Sequence, residues 1–333
     1  MEIKWKIVFH QLKEPFKISH GTYLQRKALI LSIEKEGCIG YGECTEIDYY
    51  GINLDEFVLV LEQLKSVFKA VELKHPFVFF EFLSSLKLHP FLQAAVDCAY
   101  WDVYGKVNNK SFAQLNNFSV VSIPQSSITL SIDTNEILAE QIKNSKWDYI
   151  KVKVNSWDNE LRDMLLSTGK KISIDSNGSF TLAQCKAIEK DSLSSNFLYF
   201  EQPLPKGQTN FLQLNREGFA NWTADEDIQN LEDLEQLKSH YTTVNIKVMK
   251  CGGLTTSLAI IAKAKEMGFK IMIGCMTEST VGISAGISLA HLADFLDLDG
   301  ANLIANDIAV GSKVENGHII IAPKTGLGIT VNW

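Results

Sequence analysis

An α/β fold is predicted: a parallel barrel of the TIM type joined to a smaller α+β unit at its N-terminal side. Three observations predict it. Residues 1–120 read as three strands and then three helices. From residue 121 onward, eight strand candidates alternate with helical patterns. Most of those strands end in an ionisable residue, one β/α unit apart each time, which is how a parallel barrel gathers side chains at one mouth. A doubly wound open sheet is the alternative, but no G-x-G-x-x-G opens a helix here.

The elements follow in order. Residues 2–9 alternate as a strand. A loop over 13–25 carries Pro15 and the His20-Gly21-Thr22 turn. Residues 28–33 and 38–44 flank a Glu36-Gly37 turn and read as a hairpin, which completes a three-stranded antiparallel meander. A second loop is Asp48-Tyr49-Tyr50-Gly51-Ile52. The period then changes. Leu54, Phe57, Val58, Leu61, Leu64 and Phe68 recur every three or four residues, the stripe of an amphipathic helix. Pro76 suits the first position of a shorter helix. A third helix, 90–107, turns Leu92, Ala95, Val96, Ala99, Tyr100 and Val103 to a core. Asp97, Trp101 and Asp102 on it read as packing and helix-surface residues.

Strand candidates of the second unit are 126–132, 149–154, 171–175, 197–201, 221–225, 243–247, 270–274 and 295–299, with helical patterns such as 182–189, 231–237 and 255–267. In the tail, Gly317-His318-Ile319-Ile320-Ile321 and Pro323 suggest a hairpin-like return that packs on the N-terminal unit. The expected division is 1–120 together with the return 315–333, and 121–314.

The chain has 333 residues, 46% hydrophobic and 21% charged, which is ordinary globular composition with room for a large and a smaller unit. A net charge of -7 gives no footing for nucleic acid or an acidic membrane surface. The six cysteines make no C-x-x-C pair and read as small buried hydrophobes of a reducing compartment. No basic segment leads into an apolar one at the N-terminus, and Thr277, Glu278 and several Ser and Gly interrupt the apolar stretch 271–293. A cytoplasmic protein without nucleic-acid or membrane partners is expected, with a homo-oligomer left open. His10, His75, His89, His240, His291 and His318 show no metal-ligand spacing and read as structural or surface residues.

The chemistry centres on the strand 149–154. Alternation puts Ile150, Val152 and Val154 on one face and Lys151 and Lys153 on the other. An isolated K-x-K is ordinarily a solvated edge. Here carboxylates follow in phase: Asp175 with Asn177 just beyond, then Glu201, then Asp225, then Lys247, and finally Asp297 and Asp299. The steps from 153 to 247 are 22, 26, 24 and 22 residues. Surface charge does not predict one ionisable residue per strand end. Asp175, Glu201 and Asp225 offer hard oxygen donors from adjacent strands, with no Cys or His among them, a set that suits Mg²⁺. The second and sixth strands of an eight-strand ring are opposed, so Lys153 and Lys247 should face each other across the mouth. Asp297 and Asp299, opposite the fourth strand, should face the metal. Two lysines around one carbon beside a cation are what proton transfer next to a carboxylate requires: one base takes the proton, the cation stabilises the enediolate, and the other base returns the proton on the opposite face. The metal and Lys151 are expected to lower the pKa of Lys153. The aspartate pair would hold a cationic substrate end, most simply an ammonium.

With Lys151-Val152-Lys153, Asp175-Ser176-Asn177, Glu201-Gln202-Pro203, Asp225-Glu226, and Asn245-Ile246-Lys247 followed by Gly252-Gly253, the chain resembles the muconate-lactonizing-enzyme subgroup of the enolase superfamily over nearly its whole length. Sites of that superfamily set a Lys or His base beside Mg²⁺. The resemblance implies a modified (β/α)7β barrel and an α+β capping domain whose loops, around 15–25 and 48–53, close over the substrate. His20, Gly21, Thr22 and Tyr50 are then expected to touch it. Asp297-Leu298-Asp299, together with Gly274-Cys275-Met276-Thr277-Glu278-Ser279, is similar to the dipeptide epimerases. That likeness implies Mg²⁺ on Asp175, Glu201 and Asp225, Lys153 and Lys247 as the acid/base pair, and Lys151 as electrostatic help. It places Asp297 and Asp299 on the α-ammonium of a dipeptide, Met276 and Thr277 beside the substrate, and Asn177, Glu226 and Glu278 behind these ligands. Two departures stand out. Ser179-Phe180 after Asn177-Gly178 replace the more usual Gln-Gly-Trp ending. The first capping loop lacks the arginine that Ala-Glu epimerases tend to carry, and Arg26 and Lys27 fall several residues later. Ala-Glu is therefore one dipeptide among several. The alternatives are an o-succinylbenzoate synthase or muconate-type cycloisomerase, whose substrates have no ammonium for Asp297 and Asp299, and a non-catalytic ligand-binding barrel, which has no use for both lysines and all three metal positions.

Overall fold

Three antiparallel strands open the chain, β1 (Glu2–Ile18), β2 (Gly21–Lys35) and β3 (Cys38–Thr45), in the order β1-β2-β3. The computed structural model describes residues 1–18, 21–119 and 122–332. Alternation along β2 separates two cores. Leu29, Leu31 and Ile33 pack with Ile3 and the helices of the N-terminal unit, while Ile30 and Tyr41 from the other face join the core of the barrel.

Three helices cover the first face: α1 (Leu54–Ala70), α2 (Pro76–Ser85) and α3 (Pro90–Val107). Asn53 caps α1 by accepting from Asp55 N, and Leu54, Phe57, Leu61 and Phe68 form its buried stripe. His75 and His89 cap α2 and α3 through ring nitrogens that accept from Phe77 N and Phe91 N, each with proline at the first helical position. Helix α3 lies directly on β3. A Cβ added at Gly42 would stand 1.9 Å from the Ala95 carbonyl oxygen, so only glycine allows this approach.

That clamping bears out the packing role expected of three α3 residues and corrects the surface one. Asp97, Trp101 and Asp102 have no helix-surface position; all three are fully buried, because α3 is held between the two cores. Asp97 accepts from Thr255 N (2.9 Å) and Thr255 Oγ1 (2.8 Å), and Trp101 Nε1 donates to the same hydroxyl at 2.9 Å. Asp102 accepts from Tyr41 N and Leu327 N.

After the short α4 (Phe112–Leu115), eight parallel strands form one sheet in sequence order: β4 (Ile128–Leu130), β5 (Tyr149–Lys153), β6 (Lys171–Asp175), β7 (Phe200–Glu201), β8 (Trp222–Ala224), β9 (Thr243–Lys247), β10 (Lys270–Gly274) and β11 (Phe295–Asp297). A parallel bridge from Ser126 to Leu296 brings the first edge to the last and closes the barrel. Helices α5 (Asn135–Asn144), α6 (Asn159–Ser167), α7 (Leu182–Lys190), α8 (Gln208–Phe211), α9 (Leu234–Leu237), α10 (Leu254–Glu266) and α11 (Thr280–Ser288) follow β4 to β10 in turn. Among the described residues a 3-10 turn, Gly300–Leu303, stands after β11 where an eighth barrel helix would be, the (β/α)7β arrangement. Several ladders are shorter than the apolar runs that announce them. Phe197 and Tyr199, for example, are buried but lie ahead of β7.

The chain ends in β12 (Ala309–Val310), β13 (Lys313–Glu315), β14 (His318–Ile320) and β15 (Thr330–Val331), with β13 pairing β14 and β12 pairing β15. Gly326 N donates to Lys110 O and Phe112 N to Gly326 O, which ties this segment to the start of α4. Among the described residues no helix is long and apolar enough to cross a membrane. All six cysteines are free.

Candidate active site

Strand register assembles the polar residues into one layer. Lys153 pairs with Asp175, and Asp175 pairs with Glu201, across β5, β6 and β7. On the far side Lys247 pairs with Gly274, and Gly274 with Asp297, across β9, β10 and β11. Lys153 and Lys247 therefore stand four strands apart in the eight-strand sheet, on opposite walls of one cavity that both line. Each amine is held by the carboxylate of a neighbouring strand: Lys153 Nζ donates to Asp175 Oδ2 and Lys247 Nζ to Asp225 Oδ2, both at 2.6 Å.

Lys151 sits one layer deeper. Its Nζ donates to Asp297 Oδ2 and, at 3.3 Å, to Glu201 Oε2, and lies 3.6 Å from Asp175 Oδ2. It thus spans the mouth from β5 to strands on either side. Burial works against its charge, but Asp297, Glu201 and Asp175 outweigh burial and hold its pKa well above the ordinary lysine value. The charge of Lys151 is thus directed onto carboxylates of three other strands. Lys247 is raised in the same way, with burial opposed by Asp225 and Glu201.

The carboxylates are individually placed. Asn245 Nδ2 donates to Glu201 Oε1 at 2.7 Å, and Gly274 leaves the space for that amide, since a Cβ there would stand 2.4 Å from Asn245 Oδ1. Asp225 is divided between two amines. Lys247 takes Oδ2, while the fully buried Lys250 donates to Oδ1 (2.6 Å), to the Asp225 carbonyl (2.5 Å) and to Asn245 O (3.1 Å). Asn177 adopts a left-handed φ of 45°, accepts from Lys153 at 2.9 Å and donates to Glu226 at 3.2 Å. Gln202, with φ 36°, accepts from Asp225 N and Asp227 N. Backbone in this region is costly and persists where neighbours over-determine it, as these side-chain bonds do.

Opposite, Asp299 Oδ2 accepts from Thr129 N at 2.6 Å, and Asp297 Oδ1 accepts from Ser127 Oγ at 2.7 Å. Burial and the Asp297 charge raise the pKa of Asp299. Met276, Thr277 and Tyr50 line the cavity. Glu278 does not; it lies behind, beside Glu43, and accepts from Met276 N, and burial together with Glu43 pushes its pKa up to about 8. Gly21 and Thr22 are exposed in the β1–β2 ladder and are not among the cavity-lining residues, and His20 lies outside the described residues.

The donor set fits a hard divalent cation. Asp175, Glu201, Asp225, Glu226, Asp297 and Asp299 are buried against the four buried amines of Lys151, Lys153, Lys247 and Lys250, a surplus of negative charge. The surplus shows in Glu201, raised by burial and Asp175, and in Glu226, raised by burial and Asp225. Among the described residues no three of these groups converge on one point; Asp175, Glu201 and Asp225 are hydrogen-bonded to lysines or to Asn245.

Residues 2–116 match the N-terminal domain of the mandelate racemase / muconate lactonizing enzyme family, and residues 136–333 match the enolase C-terminal domain-like family. The chain belongs to the enolase superfamily. Within it, the matches place the chain in the muconate-lactonizing, dipeptide-epimerase subgroup, and it is an isomerase. An L-Ala-D/L-amino acid epimerase of Maribacter sp. is 32% identical over 100% of both chains, and one of Flavobacterium johnsoniae is 30% identical over 96% of this chain and 97% of its own. A solved dipeptide epimerase of Enterococcus faecalis, complexed with Mg and L-Leu-L-Tyr, is 26% identical over 99% of both chains with a TM-score of 0.83.

Reasoning from spacing passed over several residues of this candidate site. Lys250 had a signal, since it lies between Lys247 and the Gly252-Gly253 pair. Thr129 and Ser127 had none beyond their strand. Phe16, Tyr23 and Tyr49 line the cavity from the stretches 15–25 and 48–53 that the resemblance implies, whereas Arg26 and Ile47 reach it from outside those bounds, which barrel periodicity cannot show.

Proposed function

We propose that this enzyme is a Mg²⁺-dependent, cytoplasmic dipeptide epimerase that inverts the α-carbon of the C-terminal residue. One observation carries the reading: Lys153 and Lys247 line opposite walls of one cavity, each hydrogen-bonded to a carboxylate of the proposed metal set. Asp175, Glu201 and Asp225 would hold the cation, which when bound supplies Lewis-acid stabilisation of negative charge developing on a substrate carboxylate. The protein's own groups do the rest. Asp297 and Asp299 bind and orient the substrate ammonium. One lysine, neutral when its carboxylate partner (Asp175 or Asp225) is engaged by the cation, would remove the α-proton, and the other, protonated, would deliver one to the opposite face of the planar enediolate. Lys151 keeps Asp297 and Glu201 in place and offsets their charge. Residues 1–120, with the return 315–333, act as the cap over the barrel of 121–314. A cycloisomerase or dehydratase substrate would leave Asp297 and Asp299 without a substrate cation to bind.

The test is deuterium uptake. The enzyme is incubated in D₂O with Mg²⁺ and pooled L,L- and L,D-dipeptides, and mass shifts are read peptide by peptide. Exchange at the α-carbon of the C-terminal residue is expected. Lys153→Ala and Lys247→Ala should each lose about 10²–10⁴ in turnover, while each keeps exchange for one C-terminal stereoisomer only. No exchange in any dipeptide sinks the reading.

A further inference from the structure

The cavity between the lysines is small, about 100 Å³, below the roughly 300–1,000 Å³ of ordinary small-molecule pockets. A dipeptide with two side chains needs more. The space lies next door, in a chamber of about 450 Å³ that shares Phe16, Thr129 and Leu303 with the lysine cavity as a common wall. That wall stands at the aspartates assigned to the ammonium: Thr129 N donates to Asp299, and Thr129 Oγ1 lies 3.5 Å from Asp297 Oδ1. Whatever substituent is carried by the carbon bearing the amine has this chamber beside it.

The chamber is braced from both units. Lys13 Nζ donates to Asn302 O (2.7 Å), Lys17 N to Ser131 Oγ (3.1 Å), and Ile132 N to Lys17 O (3.2 Å). Its lining suits a long polar side chain. Ile128 and Leu130 offer apolar contact for methylenes, Lys17 and Asp133 stand 3.9 Å apart, and Gln141 holds a buried Oε1 without a partner among the described residues.

We propose that this chamber receives the side chain of the substrate's N-terminal residue, and that the enzyme acts on dipeptides whose N-terminal residue is long and polar, of the glutamine or lysine kind. The assignment rests on the epimerase reading above. Dipeptides that share one C-terminal residue and differ only in alanine, glutamine or lysine at the N-terminus are compared by kcat/KM for α-proton exchange. Glutamine or lysine should exceed alanine at least tenfold. In Gln141→Phe, which narrows the chamber, the ratio of the long to the alanine peptide should fall at least tenfold, with the alanine peptide reporting that the variant is folded. A wild-type preference for alanine, or an unchanged ratio in the variant, overturns the assignment and leaves the epimerase reading intact. Absence of exchange with every dipeptide overturns both.

Discussion

Lys151 is the side chain on which most of the site's charge converges. Its amine meets Asp297 and Glu201 directly and lies near Asp175, with only 3% of the residue exposed. A buried charge left without its partner is costly, on the order of 3–5 kcal/mol when one member is removed. Lys151→Met should therefore destabilise the protein by roughly that amount, and Asp297→Asn should do so less, since Lys151 keeps two other carboxylates. The double variant should be more stable than the sum of the single losses predicts, because it removes charge and countercharge together. Urea unfolding of the three variants in Mg²⁺ buffer measures this, and strict additivity would show that the contact carries no coupling.

At the scale of elements, α3 joins the two cores through buried polar groups as well as apolar ones. Asp97 is the key residue: burial pushes its carboxyl up to about 7 despite hydrogen bonds from Thr255 and Leu254. The folded state thus binds a proton between about pH 4 and 7 where the unfolded chain does not, so this group's contribution to stability falls as pH rises through that window. From pH 5 to 7.5 the loss should be roughly 2–3 kcal/mol. Asp97→Asn, which cannot ionise, should remove that part of the pH dependence. Urea midpoints of both proteins at the two pH values check it, and parallel pH curves would contradict it.

For the whole molecule, the joint between the N-terminal unit and the barrel is polar and dense. Glu43 of β3 accepts from Ser279 N, Ser279 Oγ and Gly282 N at the start of α11, and pairs with His10 at 3.3 Å. Asp102 reaches Leu327 in the C-terminal return. The two cores should consequently unfold in one transition. A bound cation stabilises only the folded state, by about 2.7 kcal/mol at a hundredfold excess over its Kd. Thermal unfolding should therefore show a single midpoint that rises with Mg²⁺ and falls with chelator, and Asp175→Asn should lose the response. A midpoint indifferent to Mg²⁺ in the unaltered protein would remove the metal from the reading.

Residue spacing was sufficient for the α/β class, the eight barrel strands and the layer of residues at their ends. A parallel barrel repeats one unit, so spacing along the chain converts directly into position around the ring: steps of 22, 26, 24 and 22 residues are enough to bring Lys153, Asp175, Glu201, Asp225 and Lys247 to one mouth. Three-dimensional packing set what no period encodes. Asp97 and Asp102 look like surface on a helix wheel and are buried only because a second core presses on α3. Lys151 spans the mouth because strands distant in sequence supply its carboxylates. Arg26 and Tyr49 reach the cavity, and the chamber beside Thr129 exists, only because two separately patterned units meet there. Contacts between units depend on the docking of surfaces, and docking leaves no regular mark in sequence spacing.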